Sequence, residues 1–238
     1  MEISDCQGSA VPLPSQGGRH RVTFGNGAMV GNPHSLYFRF SAETPWALRV
    51  LAVREEHGAV FQGLGAFDGI LGLARTTDHR PFSFLHYVFS LSLSSGFIHL
   101  GVSSELPVGF RRFPLIGREF WILKGAGISA TGGSGGSGGG EYQIVLDSGT
   151  VETALPPDIF RSFGDMSELT LTLRDHEGTR HRLRIKPECK FIQLDLSGSI
   201  FEGAVVLGQS FFLGREVRFG PSWVDIQMLD DELANFLF

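Results

Sequence analysis

Two short strand endings of one form, more than half a chain length apart, constrain this sequence more than any other feature. Ile70, Leu71 and Gly72 sit inside FDGILGLA, and Val206, Leu207 and Gly208 sit inside AVVLGQSFF. Two apolar residues running into a glycine read as the end of a strand. Their recurrence points to two related lobes. A third stretch, IVLDSGTVETALP at residues 144 to 156, runs three apolar residues into Asp147 and then into Ser148, Gly149 and Thr150. Asp-Ser-Gly by itself is ordinary turn chemistry.

The remaining runs are short and strand-like, with turn signals between them. RHRVTFGNGAM reads as a hairpin turning at GNG. HSLYFRFS alternates Leu36, Phe38 and Phe40 on one face, and ALRVLAVRE alternates Leu48, Val50 and Ala52. FIHLGVS, FWILKG, YQIVLDSG, KFIQLDL and GAVVLGQSFF are further strand candidates, and LTLTLRDHEGTRHRLRIK reads as a hairpin around DHEG. Helices are expected only in PFSFLHYVFS, PPDIFRSFG and LDDELANFLF, the last with Asp230, Asp231 and Glu232 favourably placed in its first turn. The 32 glycines and 21 phenylalanines fit a β-rich chain with tight turns. GGSGGSGGG, within a loop at residues 131 to 140, has no side chain able to pack and reads as a flexible connection. Its formal matches to nucleophile and phosphate motifs lack a feeding strand and a lysine, so they carry no chemistry.

Composition excludes several classes. A net charge of −5 without a basic patch gives no footprint for nucleic acid. No apolar run reaches the ~18 residues of a membrane helix. The amino-terminal residues lack the basic start and apolar core of a secretion leader. Cys6 and Cys189 could form one disulfide but define no scaffold, and without a secretion leader the plainer reading is two free thiols. The eight histidines show no paired metal spacing, so neither a metal nor another cofactor is expected. His176 and His181 flank the DHEG turn and read as solvated, and Asp68 reads as a structural turn residue.

In this order the motifs resemble the pepsin family of aspartic peptidases, over roughly residues 20 to 224. VTFGNGAMVGN resembles the flap hairpin, FDGILGLA the strand that closes the ψ-shaped loop of the first lobe, and IVLDSGT with ALPPDIF the second catalytic turn and its helix. FSFLHYVFSLSLSSGFIHLG, FWILKGAGIS and VVLGQSFFLGREVRFG resemble the connecting and closing strands. The resemblance implies an all-β, bilobal pepsin-like fold with few short helices. It divides the chain into a partial first lobe at residues 1–118 and a second lobe at 119–238. It implies peptide-bond hydrolysis by a carboxyl dyad, with Asp147 catalytic. Substrate contacts would come from Phe24, Gly25, Asn26 and Gly27 of the flap and from Ser148, Gly149 and Thr150 of the turn. The partner would be a peptide or protein, with no nucleic acid and no membrane, and relatives of this type are generally secreted or vacuolar.

The sequence departs from that family pattern in three places. It holds two apolar-apolar-Gly strands but one D-S-G turn. Only 23 residues precede Phe24, so the first lobe is expected to lack its first strands, and Asp5 in SDCQGSA has neither the spacing nor the feeding strand of a partner acid. Phe24 stands where the family usually has Tyr, and Gly220 where it usually has Asp. A lone carboxyl cannot divide acid and base roles. The expectation is therefore an incomplete copy of a peptidase, a cleft that binds a peptide or protein without cutting it, or an enzyme using one carboxyl on a small molecule. A shortened lobe would also expose strand edges to self-association.

Overall fold

Alternation of apolar and polar residues, the dominant pattern in the sequence, appears in three dimensions as three β-sheets. In the computed structural model the described residues are 9–12, 19–24, 27–38, 46–58, 72–73, 75, 89–117, 119–131, 137–138, 140–163, 166–185 and 191–233. The chain divides into two compact units, residues 1–85 and 86–238.

In the first unit the strands are β1 (Ser9–Pro12), β2 (His20–Phe24), β3 (Gly27–Phe38) and β4 (Trp46–Gly58). The expected hairpin forms, with Phe24 opposite Gly27 across a two-residue connection. The strand does not stop at Asn32 and Pro33, as the two separate sequence runs suggested. It continues as one 12-residue strand paired with β4 from Gly27 to Phe38. On its other side β2 pairs as far as Gly31 and β1 begins at His34. Pro33, which has no N–H to donate, thus falls in the gap between two partner strands. Ala28 and Met29 are buried.

The second unit contains β5 (Phe89–Ser92), β6 (Phe97–Leu100), β7 (Phe110–Pro114), β8 (Ile122–Thr131), β9 (Ser137–Gly138), β10 (Tyr142–Leu146) and β11 (Ala154–Leu155). These are followed by α1 (Pro157–Phe163), β12 (Glu168–Arg174), β13 (Arg180–Ile185), β14 (Ile192–Gln193), β15 (Val205–Leu207), α2 (Gln209–Phe212), β16 (Val217–Phe219), β17 (Trp223–Gln227) and α3 (Asp230–Leu233). One sheet runs β13-β12-β8-β10-β15-β11-β14, with β9 added on β8, and a second runs β6-β5-β16-β17-β7. Part of the Gly/Ser tract is therefore paired backbone: Ser137 lies opposite Ser129 and Gly138 opposite Ile128. No helix among the described residues is long and apolar enough to cross a membrane.

The β12–β13 hairpin buries one set of alternate residues. Leu169, Leu171 and Leu173 of β12 face inward with Leu183 and Ile185 of β13. His181 belongs to the same alternating set and is buried, 2% exposed, where the sequence reading had it solvated; His176 in the turn is exposed, as expected. Period two carries His181 inside with Leu183 and Ile185. There its Nε2 lies 2.7 Å from Asp175 Oδ2 and its ring meets Phe113 edge-on at 5.7 Å. In the five-stranded sheet, Phe89, Leu91, Val217, Phe219, Val224 and Ile226 form the apolar set. Phe89 stacks on Phe219 at 4.6 Å, and Trp121 meets both rings edge-on.

The carboxyl-terminal turn is fixed by a buried ion pair. Arg215 Nη2 donates to Glu232 Oε1 at 3.0 Å, and both side chains are almost fully enclosed. Glu232 also accepts from the amides of Arg184 and Leu229, and Arg215 donates to the Arg184 and Gln227 carbonyls. A buried pair of this kind is tolerable because neighbouring groups satisfy its remaining hydrogen-bonding capacity.

Candidate functional site

The apolar strand β10 ends at Leu146, and Asp147 begins the turn. β15 lies directly beside it, parallel, with Ile144, Val145 and Leu146 opposite Val205, Val206 and Leu207. The chain leaves β10 through residues 147 to 153 and returns as β11, antiparallel to the other side of β15. The central strand is thus hydrogen-bonded on both flanks to two strands joined by one loop, a ψ-shaped arrangement. Asp147 N–H donates to the Leu207 carbonyl at 3.0 Å, and Gln209 N–H donates to the Thr150 carbonyl at 2.7 Å.

Gly208 is the point of closest approach. A Cβ there would lie 2.5 Å from the Thr150 carbonyl oxygen and nearer still to that of Glu152. Only glycine lets the turn settle onto the end of β15. This supplies the physical reason for the apolar-apolar-Gly pattern at this position.

The turn grips its own acid. Gly149 N–H donates to Asp147 Oδ1 at 2.9 Å, and the Thr150 hydroxyl donates to Oδ2 at 2.7 Å. Thr150 N–H also closes onto the Asp147 carbonyl at 3.1 Å. Asp147 remains exposed while each oxygen accepts one hydrogen bond. A carboxylate has about four lone-pair positions, so two bonds orient it and leave it able to accept a proton or bind a donor. Gly149 and Thr150 are thus hydrogen-bonded to Asp147, with Ser148 between them in the same turn.

Three residues that sequence reasoning did not single out hold this turn from behind. Gln209 Nε2 donates to the Ser148 carbonyl at 3.2 Å. The Thr153 and Ser210 hydroxyls meet at 2.9 Å. The available signal was their position: Gln209 and Ser210 immediately follow Gly208, where the two chain segments cross.

On one side of the ψ arrangement, Val145, Ala154, Ala204 and Val206 form a buried cluster against Ile122, Ile192, Leu194, Leu196 and Phe201. The Ile192 and Leu194 amides bond to the Thr153 and Leu155 carbonyls, tying this cover to β11. The strand run ends at Asp195, whose carboxylate accepts from the Ser197 hydroxyl and amide. Those hydrogen bonds hold Asp195 below its usual range.

Of the remaining sequence candidates, Phe24 and Gly27 form the closing pair of the β2–β3 hairpin in the first unit. Gly25 and Asn26 lie outside the described residues, as do Asp5, Asp68, Cys6, Cys189 and all of FDGILGLA except Gly72 and Leu73. At Gly220, the backbone lies against the Trp223 ring so closely that a Cβ would overlap it. Trp223 in turn carries Arg112, whose guanidinium carbon is 3.8 Å from the ring centroid and whose Nε and Nη2 grip Asp225 at 2.7 and 2.9 Å. The hydrogen bond to Asp225 raises Arg112 above its ordinary value, against the cost of burial. No group of three or more metal-ligating side chains occurs among the described residues.

Comparison with protein-family models finds no match, and comparison with curated proteins finds none.

Proposed function

We propose that this chain is a pepsin-type aspartic endopeptidase in which Asp147 is one of the two reacting carboxyls and the substrate is a peptide or protein. The observation that carries this reading is the Asp147 turn lying across Gly208, with β15 paired between the two strands that the turn connects. In such chemistry two facing carboxyls share one proton. One draws a proton from water as it attacks the peptide carbonyl, and the other gives a proton to the carbonyl oxygen. The bonds from Gly149 and Thr150 to Asp147 suit the role of an oriented acid or base.

A second reading rests on the single D-S-G turn in the sequence. With one carboxyl in place, the same site would hold a peptide without cutting it, as a non-catalytic binding module. One experiment separates the two. The purified chain is incubated with an unfolded protein between about pH 3 and 5, the region where paired carboxyls share a proton. Cleavage that is blocked by a transition-state peptide mimic and lost in Asp147→Asn supports the peptidase. Binding of the mimic without cleavage, weakened in Asp147→Asn, supports the binding module. Neither cleavage nor binding removes both.

A further inference from the structure

Five polar residues of the five-stranded sheet share one register row. His99 of β6 lies opposite Ser90 of β5, Ser90 opposite Arg218 of β16, Arg218 opposite Asp225 of β17, and Asp225 opposite Arg112 of β7. The charges along this row are not evenly matched. Asp225 is engaged by Arg112 through two nitrogens. Arg218 is only 5% exposed and has no carboxylate partner among the described residues; it donates to the Ser103 and Glu105 carbonyls instead. Both of these hydrogen bonds go to neutral carbonyl oxygens, and they leave three of the five N–H groups of the guanidinium.

Arg218 lines an open surface pocket of about 430 Å3 that lies entirely in the second unit, away from Asp147 in the fold's strand order. Two other charged residues line it, Glu105 and Glu216, and neither carboxylate is ion-paired among the described residues. The rest of the wall includes Val102, Leu106 and Phe110. Leu106 is partly open to solvent, while Phe110 is buried.

We infer that this pocket binds a free α-amino acid with an apolar side chain. Such a ligand carries both charges within a few bonds. Its carboxylate meets Arg218, which presents the planar donor fork that carboxylates accept. Its ammonium meets Glu105 and Glu216, and its side chain lies against Leu106, Phe110 and Val102. A simple anion would be repelled by the two carboxylates and a simple cation by the guanidinium, so the site discriminates by requiring both poles. The volume lies within the usual range for small-molecule sites.

The test is calorimetric titration of the full chain with L-leucine, beside N-acetyl-leucine, which lacks the ammonium, and leucinamide, which lacks the carboxylate. L-leucine is expected to bind, and each analogue to bind at least about tenfold more weakly. Because replacing buried Arg218 risks unfolding, the informative variant is the double change Glu105→Gln and Glu216→Gln. It should weaken L-leucine about tenfold, while N-acetyl-leucine, no longer repelled by the two carboxylates, should bind at least as well as before. Asp147→Asn should leave L-leucine binding intact, which separates this site from the proposed peptide site. Absence of L-leucine binding at millimolar concentration, equal binding of the two analogues and L-leucine, or an unaffected double variant would each overturn the proposal.

Discussion

Gly208 lies under the turn that starts at Asp147, in contact with the carbonyl oxygens of Thr150 and Glu152. The obstacle to any side chain there is backbone, which cannot rotate away. Gly208→Ala is expected to destabilise the second unit by about 1–3 kcal/mol, the usual cost of forcing a methyl group into filled space. Denaturant unfolding measures this. An unchanged midpoint would mean that the turn stands off the strand.

Thr153 and Ser210 share a hydroxyl hydrogen bond behind the same turn. Thr153→Val and Ser210→Ala should each reduce stability, and the double variant should lose less than the sum. The coupling expected is about 1 kcal/mol, the net value of one such bond. Strict additivity in the double-mutant cycle would show that the hydroxyls do not interact.

The Arg215–Glu232 pair predicts an asymmetry. Glu232→Ala leaves a buried guanidinium without its carboxylate and should cost about 3–5 kcal/mol. Replacing both, Arg215→Met with Glu232→Leu, should cost less than the single change, because no lone charge remains buried. Chemical denaturation of the two variants provides the comparison. A double variant less stable than Glu232→Ala would refute this account.

Asp175 couples the β12–β13 turn to pH. Burial pushes its carboxyl up, but hydrogen bonds from His181 and from the amides of Thr179 and Glu177 outweigh that and hold it below its usual range. A carboxyl lowered on folding binds fewer protons in the folded state than in the unfolded one. Its contribution is fully present above the ordinary carboxylate value of about 3.9 and is lost as pH falls through the lower folded value. Stability measured against pH should show this acid decline, and Asp175→Asn should flatten it. The same slope in wild type and variant would assign the decline to other carboxyls.

Legibility in the sequence followed the range of the deciding interactions. LTLTLRDHEGTRHRLRIK declared its hairpin because alternation and turn chemistry agree over neighbouring residues, and β12 and β13 pair from Leu169–Ile185 to Arg174–Arg180. The same alternation placed His181 inside, a signal outweighed in the reading by its nearness to the turn. PFSFLHYVFS carried a helix signal at Pro81; residues 81–88 lie outside the described residues, and its last two, Phe89 and Ser90, pair in β5 against β16, far along the chain. Long-range pairing decides those two positions.

The Asp147 turn was readable because three of its requirements are local: an apolar strand, an acid and small residues after it. Its support by Gln209 and Ser210 was not, since the residues that they hold lie far upstream. The polar row from His99 to Arg112 was equally hidden. Each of its members comes from a different strand, and only the register brings them into line.

Because β15 is inserted between strands that precede it by a long stretch of chain, the acid turn cannot assemble as that stretch leaves the ribosome. Asp147 is synthesised before Leu207 and Gly208 and waits, without its backing, until they have been added and paired. The order of translation therefore builds a delay into this turn: its acid is made first and its support arrives later.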